Sequence, residues 1–265
     1  MDYTKIKLDS VDGVAVITLS DPATMNAAGV DTVAELTDAF RRIATGGLKA
    51  RAIVLTGEGR GFCSGANLSS GVGASFDADG KPDAGRGLEI HYNPLVTLMR
   101  DSELPIVTAV NGAAAGVGCS LALLGDIVVA AESSYFLQAF RRIGLVPDGG
   151  STYILPRLIG KARAMEMALL GDKIPANTAL DWGLVNRCVP DAELMPTAMA
   201  IATELAKGPM ALGMIRQLIW TSLDQTWLEQ LHEERLTQRL AGKSADFGEG
   251  VQAFLQKRPA AFTGQ

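Results

Sequence analysis

Histidine is nearly absent from this chain: there are two in 265 residues, His91 and His232, in segments whose patterns predict separate helices. That leaves almost no material for a histidine-ligated metal site or a Ser–His–Asp triad, and no metal is expected. Cysteine is equally sparse. Cys63, Cys119 and Cys188 are odd in number and lack metal-ligand spacing, which excludes a disulfide framework and points to a reducing compartment. No apolar run reaches the ~18–20 residues of a membrane span. The opening MDYTKIKLDS also has no signal-peptide core. The expected location is therefore cytoplasmic, with no membrane partner. Basic residues are outnumbered, 24 against 29 acidic, and the net charge of −5 argues against a nucleic-acid surface.

What the chain has in quantity is apolar residues, 48%, and 29 glycines. At this length it can bury one large core or a core with an appendage. Ile6–Leu8 and Val14–Leu19 read as strands joined through Asp12-Gly13, a hairpin signal. Val33, Leu36, Phe40 and Ile43 share one helical face over 31–43. The run 51–56 reads as a buried strand, 69–87 as a Gly/Ser/Asp-rich loop and 88–99 as a helix. Tyr135–Leu137 reads as a short strand, and Gly160 and Gly171 punctuate helical patterns over 152–158 and 161–170. From 191 onward four helices are predicted, 191–207, 209–222, 226–240 and 244–257. Strands alternating with helices, followed by a helical tail, give an α/β body with a helical appendage.

Pro105–Ala130 is the stretch around which the rest is organised. A buried-strand pattern, 106–110, breaks at Asn111-Gly112, passes three alanines and reaches Gly116-Val117-Gly118 at a helix start. No side chain over 112–118 can do acid–base work, so any function there belongs to the backbone. Three readings stand. A dinucleotide loop needs a third glycine where Leu121 stands and a longer crossover helix than the one ending at Gly125. The other two are an oxyanion hole and a tight packing turn. The same design, strand to glycine-rich turn to helix start, recurs over 53–67. Two such turns meeting at one point would hold a developing oxyanion, but pattern alone does not make them meet.

The segments TGEGRGFCSGANL, AVNGAAAGVGCSLALLGDIVVA, GLVPDGGSTYILPRLIGKARAMEMALLGDKI and DWGLVNRCV, in that order, resemble the enoyl-CoA hydratase/isomerase (crotonase) superfamily. Within it, IHYNPLV and IGLVPDGGSTYILPRLIG are most similar to the phenylacetate-pathway enoyl-CoA and epoxyphenylacetyl-CoA isomerases. The resemblance implies a ClpP-like spiral of ββα units over 1–207 carrying the CoA and acyl site. It implies a helical region over 208–265 for contacts in a homotrimer or dimer of trimers. The substrate is then an acyl-CoA thioester, and no separate cofactor is implied. The thioester oxygen would be held by the N–H groups of Ala66 and Val117. Thr24 and Met25 fall where relatives line the CoA groove, and Phe254 and Lys257 match positions that reach CoA in a neighbouring subunit. By themselves Phe254 reads as helix packing and Lys257 as a solvated charge.

The resemblance also locates the acid–base chemistry. The two glutamates of typical hydratases in the family fall on Ser120 and Phe140, neither of which can serve as a carboxylate base. Asp148, in Pro147-Asp148-Gly149-Gly150, matches the catalytic aspartate of the isomerase branch, while its setting before a helix equally fits an N-cap. As a base it would have its pKa raised by apolar neighbours such as Phe140 and Val146. His91 would lie on the helix covering the acyl pocket, or simply on a helix surface. Ser120 reads as a small polar helix residue, and Arg141 and Arg142 as surface charges or ion-pair partners. Isomerase is the expected activity. The alternatives are an enoyl-CoA hydratase, an acyl-CoA-binding protein without chemistry and, distantly, a dinucleotide-dependent oxidoreductase.

Overall fold

The structure, a computed structural model, describes residues 2–67 and 76–265. The loop expected over 69–87 lies partly outside these. Its described part bridges Phe76 to Pro82 and then enters a helical turn. In chain order the elements are β1 (Ile6–Val11), β2 (Val14–Leu19), α1 (Val30–Ala44), β3 (Ala52–Gly57), β4 (Gly61–Cys63) and α2 (Ala84–Gly87). A π-helical turn, Leu88–Tyr92, leads into α3 (Asn93–Arg100), β5 (Ile106–Val110), β6 (Ala113–Ala115), α4 (Val117–Leu123), β7 (Ile127–Ala131) and β8 (Tyr135–Leu137). The remainder is α5 (Ser151–Leu170), β9 (Ile174–Pro175), α6 (Ala176–Trp182), β10 (Arg187–Val189), α7 (Leu194–Lys207), α8 (Ala211–Ser222), α9 (Trp227–Ala241) and α10 (Ala245–Gln256).

After the opening β1–β2 hairpin and α1, the passes β3–β4, β5–β6 and β7–β8 each lay a strand in one sheet and a shorter strand in a second before turning into helix. The first sheet has the order β1-β2-β3-β5-β7-β10, and the second β4-β6-β8-β9. Among the strands of the described residues, the β1–β2 hairpin and the β8–β9 pair are antiparallel and the other pairs parallel. Asp12 and Gly13 at the hairpin turn both have positive φ, 51° and 78°, the requirement of a two-residue turn whose twist matches its strands. The spiral of ββα units is as expected. The second sheet was hidden in the sequence, because β4 and β6 sit inside segments that read as glycine turns.

Strands β3, β5 and β7 are almost wholly apolar, with Thr56 and Thr108 buried and hydrogen-bonded to Ala109 O and Ala122 O, because both of their faces are covered. Ile53, Leu55, Ile106, Val110, Val128 and Ala130 face the main core. The alternate residues Ala52, Val54, Val107, Ala109, Val129 and Ala131 face α7. That helix answers with Leu194, Ala198, Ala202 and Ala206, a four-residue spacing that lets its backbone approach the sheet closely. At Gly160 (φ 74°, ψ 161°) α5 breaks its helical dihedrals, as its punctuation predicted.

One buried cation ties the helical tail to the spiral. Arg216 on α8 donates Nε to Asp126 Oδ2 at 2.7 Å, and its Nη groups donate to the carbonyls of Met99, Arg100 and Ser102. Asp126 Oδ2 also accepts the Ile106 N–H at the start of β5. Truncating a buried, fully hydrogen-bonded ion leaves its partners unpaired. Arg216→Ala is therefore expected to lower stability by about 3–5 kcal/mol, read as a shifted denaturant midpoint with little change in m.

Candidate active site

The two glycine-rich turns meet. A Cβ built on Gly65 (φ +102°) would lie 3.0 Å from the Ala115 carbonyl oxygen and 3.8 Å from Gly116 Cα. Gly116 (φ 53°, ψ −128°) precedes the first residue of α4, and its own N–H donates to Leu137 O at 2.8 Å. Only glycine adopts such dihedrals without strain. The helix α4 is pinned from beneath, since a Cβ on Gly118 would come 2.3 Å from the Cys63 carbonyl oxygen at the end of β4. Gly112 makes the same approach between the two loops, where a Cβ would fall 2.1 Å from Arg60 O. Main chain against main chain fixes both turns in register.

The residues that precede Ala66 and Val117 are therefore in contact, and among the described residues neither of these two N–H groups has a protein acceptor. The peptide carrying the Ala66 N–H is held from its other end, because Gly65 O accepts the Ala28 N–H at 2.8 Å. Ala28 O in turn accepts the buried Tyr92 hydroxyl at 2.6 Å. Tyr92 closes the π-helical turn at Leu88–Tyr92, and burial together with the charge of Asp148 pushes its pKa up to about 12. Sequence reasoning passed over Tyr92. The only signal was its position one residue before Asn93-Pro94, where a helix register changes.

Asp148 lies beside the same helix start. A Cβ on Gly149 would stand 2.8 Å from Ser120 Cβ and 3.3 Å from Val117 Cγ2, so the loop carrying Asp148 rests directly on the first turns of α4. The carboxylate does not cap α5. Gly150, in the left-handed region, occupies the N-cap with no side-chain hydrogen bond, and the Ser151 N–H goes to the Asp148 backbone oxygen at 3.0 Å. Instead Asp148 Oδ1 is buried with no partner among the described residues. Loss of water around it pushes the carboxyl pKa up to about 6. Phe140 is buried, its ring 3.8 Å from where a Cβ on Gly116 would be. Val146 does not belong to the apolar surroundings of Asp148, because it is 77% exposed and turned to solvent.

The remaining expected residues separate. Thr24 and Met25 adjoin the Ala66 turn: Ser64 N–H donates to Met25 O at 3.0 Å and Ser64 Oγ to Thr24 O at 2.8 Å. Phe254, 84% exposed, stands on α10 and Lys257 caps its end, and the hydrogen bonds of that helix run to Met210 and to the tail from Ala261 onward. Phe254 is thus not packed within its own chain. His91 is half-buried on the π-helical turn. Among the described residues, Arg141 and Arg142 form no ion pair. Their guanidinium groups donate to Leu170 O and Gly171 O and close the end of α5. Ser120 is fully buried and hydrogen-bonded to Ser151 Oγ and Asp148 O, so it is no exposed nucleophile. Burial pushes the Cys63 and Cys119 thiols up to about 11 and 12, which removes them as nucleophiles near neutral pH.

The close approach at Gly149 (φ +58°) has a measurable consequence. Gly149→Ala adds a methyl against Ser120 in a conformation that an L residue resists. A loss of about 1–3 kcal/mol is expected in thermal or denaturant melts.

A spiral of ββα units whose second-sheet strands end in two facing glycine turns is the crotonase fold. The chain belongs to the enoyl-CoA hydratase/isomerase family, whose model matches residues 9–265. A Rhodobacter capsulatus protein named "Probable enoyl-CoA hydratase" is 46% identical over 266 residues, covering 100% of both chains. The 1,2-epoxyphenylacetyl-CoA isomerase of Escherichia coli K12 is 44% identical over 255 residues, covering 96% of both. Among solved structures, an enoyl-CoA hydratase from Bacillus anthracis superposes with a TM-score of 0.91 at 28% identity, covering 99% of this chain and 100% of that one. Among the described residues, no helix is long and apolar enough to cross a membrane.

Proposed function

We propose that the chain is an acyl-CoA isomerase that moves a double bond from C3=C4 to C2=C3 of an enoyl thioester, with Asp148 as the one acid–base group. The observation that carries this is the unpartnered, buried Asp148 Oδ1 beside the helix that bears the Val117 amide. The thioester oxygen accepts the N–H groups of Ala66 and Val117. Asp148 takes the proton from C2, and the electron pair of that C–H bond spreads over a dienolate whose charge the two amides stabilise. The same carboxyl then returns the proton to C4, and the double bond settles between C2 and C3. A carboxyl with a pKa of about 6 suits both halves of this cycle, since it is ionised at neutral pH yet holds a proton long enough to return it. A ring-derived or epoxidised phenylacetyl-CoA substrate is the variant of this chemistry favoured by the similarity to the 1,2-epoxyphenylacetyl-CoA isomerase.

Thr24 and Met25 line the CoA groove beside the Ala66 turn in this proposal. Phe254 and Lys257, turned away from their own site, reach the CoA of a neighbouring subunit in a trimer or dimer of trimers, through the helical region 208–265. The location proposed is cytoplasmic, consistent with three free thiols. Hydration is the second reading, favoured by the name of the Rhodobacter relative. It meets the difficulty that Ser120 and Phe140 supply no carboxylate to place a water. The deciding experiment is a panel of 3-enoyl-, 2-enoyl- and phenylacetyl-derived CoA thioesters. Isomerisation of the 3-enoyl substrate with negligible hydration of crotonyl-CoA is the expected result. Efficient crotonyl-CoA hydration would replace isomerase by hydratase. Tight binding with no proton exchange at C2 would leave a binding protein.

A further inference from the structure

Three fully buried side chains form a line that ends on the main chain of Asp148. Gln138 Nε2 donates to Ser151 Oγ at 3.1 Å, Ser151 Oγ and Ser120 Oγ lie 2.7 Å apart, and Ser120 Oγ reaches the Asp148 carbonyl oxygen at 3.0 Å. Gln138 and Ser120 are 0% exposed and Ser151 is 1% exposed. Donor accounting gives the line one direction. An amide nitrogen only donates, so Ser151 Oγ accepts from Gln138 and sends its own proton to Ser120, and a carbonyl only accepts, so Ser120 sends its proton to Asp148 O. Bonds aligned head to tail in a dry interior polarise and strengthen one another. With the Ser151 N–H as a second donor, the Asp148 carbonyl is held from two sides.

We propose that Ser120, oriented by Gln138 through Ser151, is a positioning residue that sets where the Asp148 carboxylate sits over the acyl site. Residues Gly149 and Gly150, with φ of 58° and 85°, follow Asp148 directly, so the backbone there has little steric restraint of its own. The hydroxyl line supplies that restraint. Ser120 also packs against this loop, since a Cβ on Gly149 would stand 2.8 Å from Ser120 Cβ.

The inference rests on the proposed isomerase role of Asp148, and a double-mutant cycle separates the two. With 3-hexenoyl-CoA as substrate, Ser120→Ala is expected to lower kcat about 10-fold with KM within twofold, and to move the acid limb of the kcat–pH profile downward as water reaches the loosened carboxyl. Among the described residues, the titratable group in electrostatic contact with Asp148 is Tyr92, which stays neutral across this range. In the Asp148→Asn background, Ser120→Ala is expected to have no further effect on kcat, because it acts through Asp148. Gln138→Leu, one bond farther from the α4 contact, is the second variant and should move the acid limb the same way. If either folded variant keeps wild-type kcat and an unmoved acid limb while Asp148→Asn is inactive, the positioning role is overturned. An Asp148→Asn enzyme with full isomerase rate overturns the base assignment itself.

Discussion

Asp148→Asn is expected to isomerise 3-enoyl-CoA about 10³-fold more slowly than the wild type, within the range that removal of a general acid–base group produces. Asparagine keeps the shape and the loop contacts and loses only the capacity to accept and return a proton. Because Asp148 must be ionised to take the C2 proton, wild-type kcat should fall about tenfold per pH unit below pH ~6, in line with the carboxyl pushed up to about 6 by burial. Stability should run the other way. The folded state binds this proton more tightly than the unfolded chain, so the group's favourable contribution is full below the ordinary carboxylate pKa and is lost as pH rises through about 6. At pH 7 the buried carboxylate costs on the order of 2 kcal/mol. Asp148→Asn is therefore expected to melt higher than wild type at pH 7, with the difference closing toward pH 4. An inactive variant that is also less stable at pH 7 would show that Asp148 serves the fold, not the chemistry.

Val117→Pro tests the other half of the site and should cost about 10²–10³ in kcat, the usual consequence of removing one oxyanion donor. Proline is tolerated at the first position of a helix because the N–H there has no intrahelical partner, and Val117 is that residue in α4. The preceding residue must avoid helical ψ. Gly116, at φ 53° and ψ −128°, sits in the mirror image of the extended region and meets that demand. The substitution thus replaces the N–H with a ring methylene, which removes the donor with little backbone strain. Val117→Gly keeps the amide and should retain a rate within a few-fold. If the proline variant is folded by circular dichroism and fully active, Val117 does not hold the thioester oxygen.

The helices and the long strands were legible because their signals are local. Gly160 as a break in α5 and the helix expected over 191–207, realised as α7, are examples of signals carried by neighbouring residues. Strands β4 and β6 were not legible. Gly-Phe-Cys and Ala-Ala-Ala carry no alternation, and they become strands only because β8 and each other offer hydrogen-bonding edges. The same holds for Tyr92 and Gln138, whose partners lie 64 and 13 residues away.

From the sequence alone came the inventory of chemistry: too few histidines for a triad, a pair of glycine-rich turns, no carboxylate at 120 or 140 and one at 148. Composition and short-range pattern determine such things because they depend on which groups exist. Whether Asp148 caps a helix or stands unpaired, and whether the turns that precede Ala66 and Val117 touch, was decided by main-chain contacts between distant segments. A carboxyl group has no fixed role until the surrounding fold either gives it a donor or strips it of water.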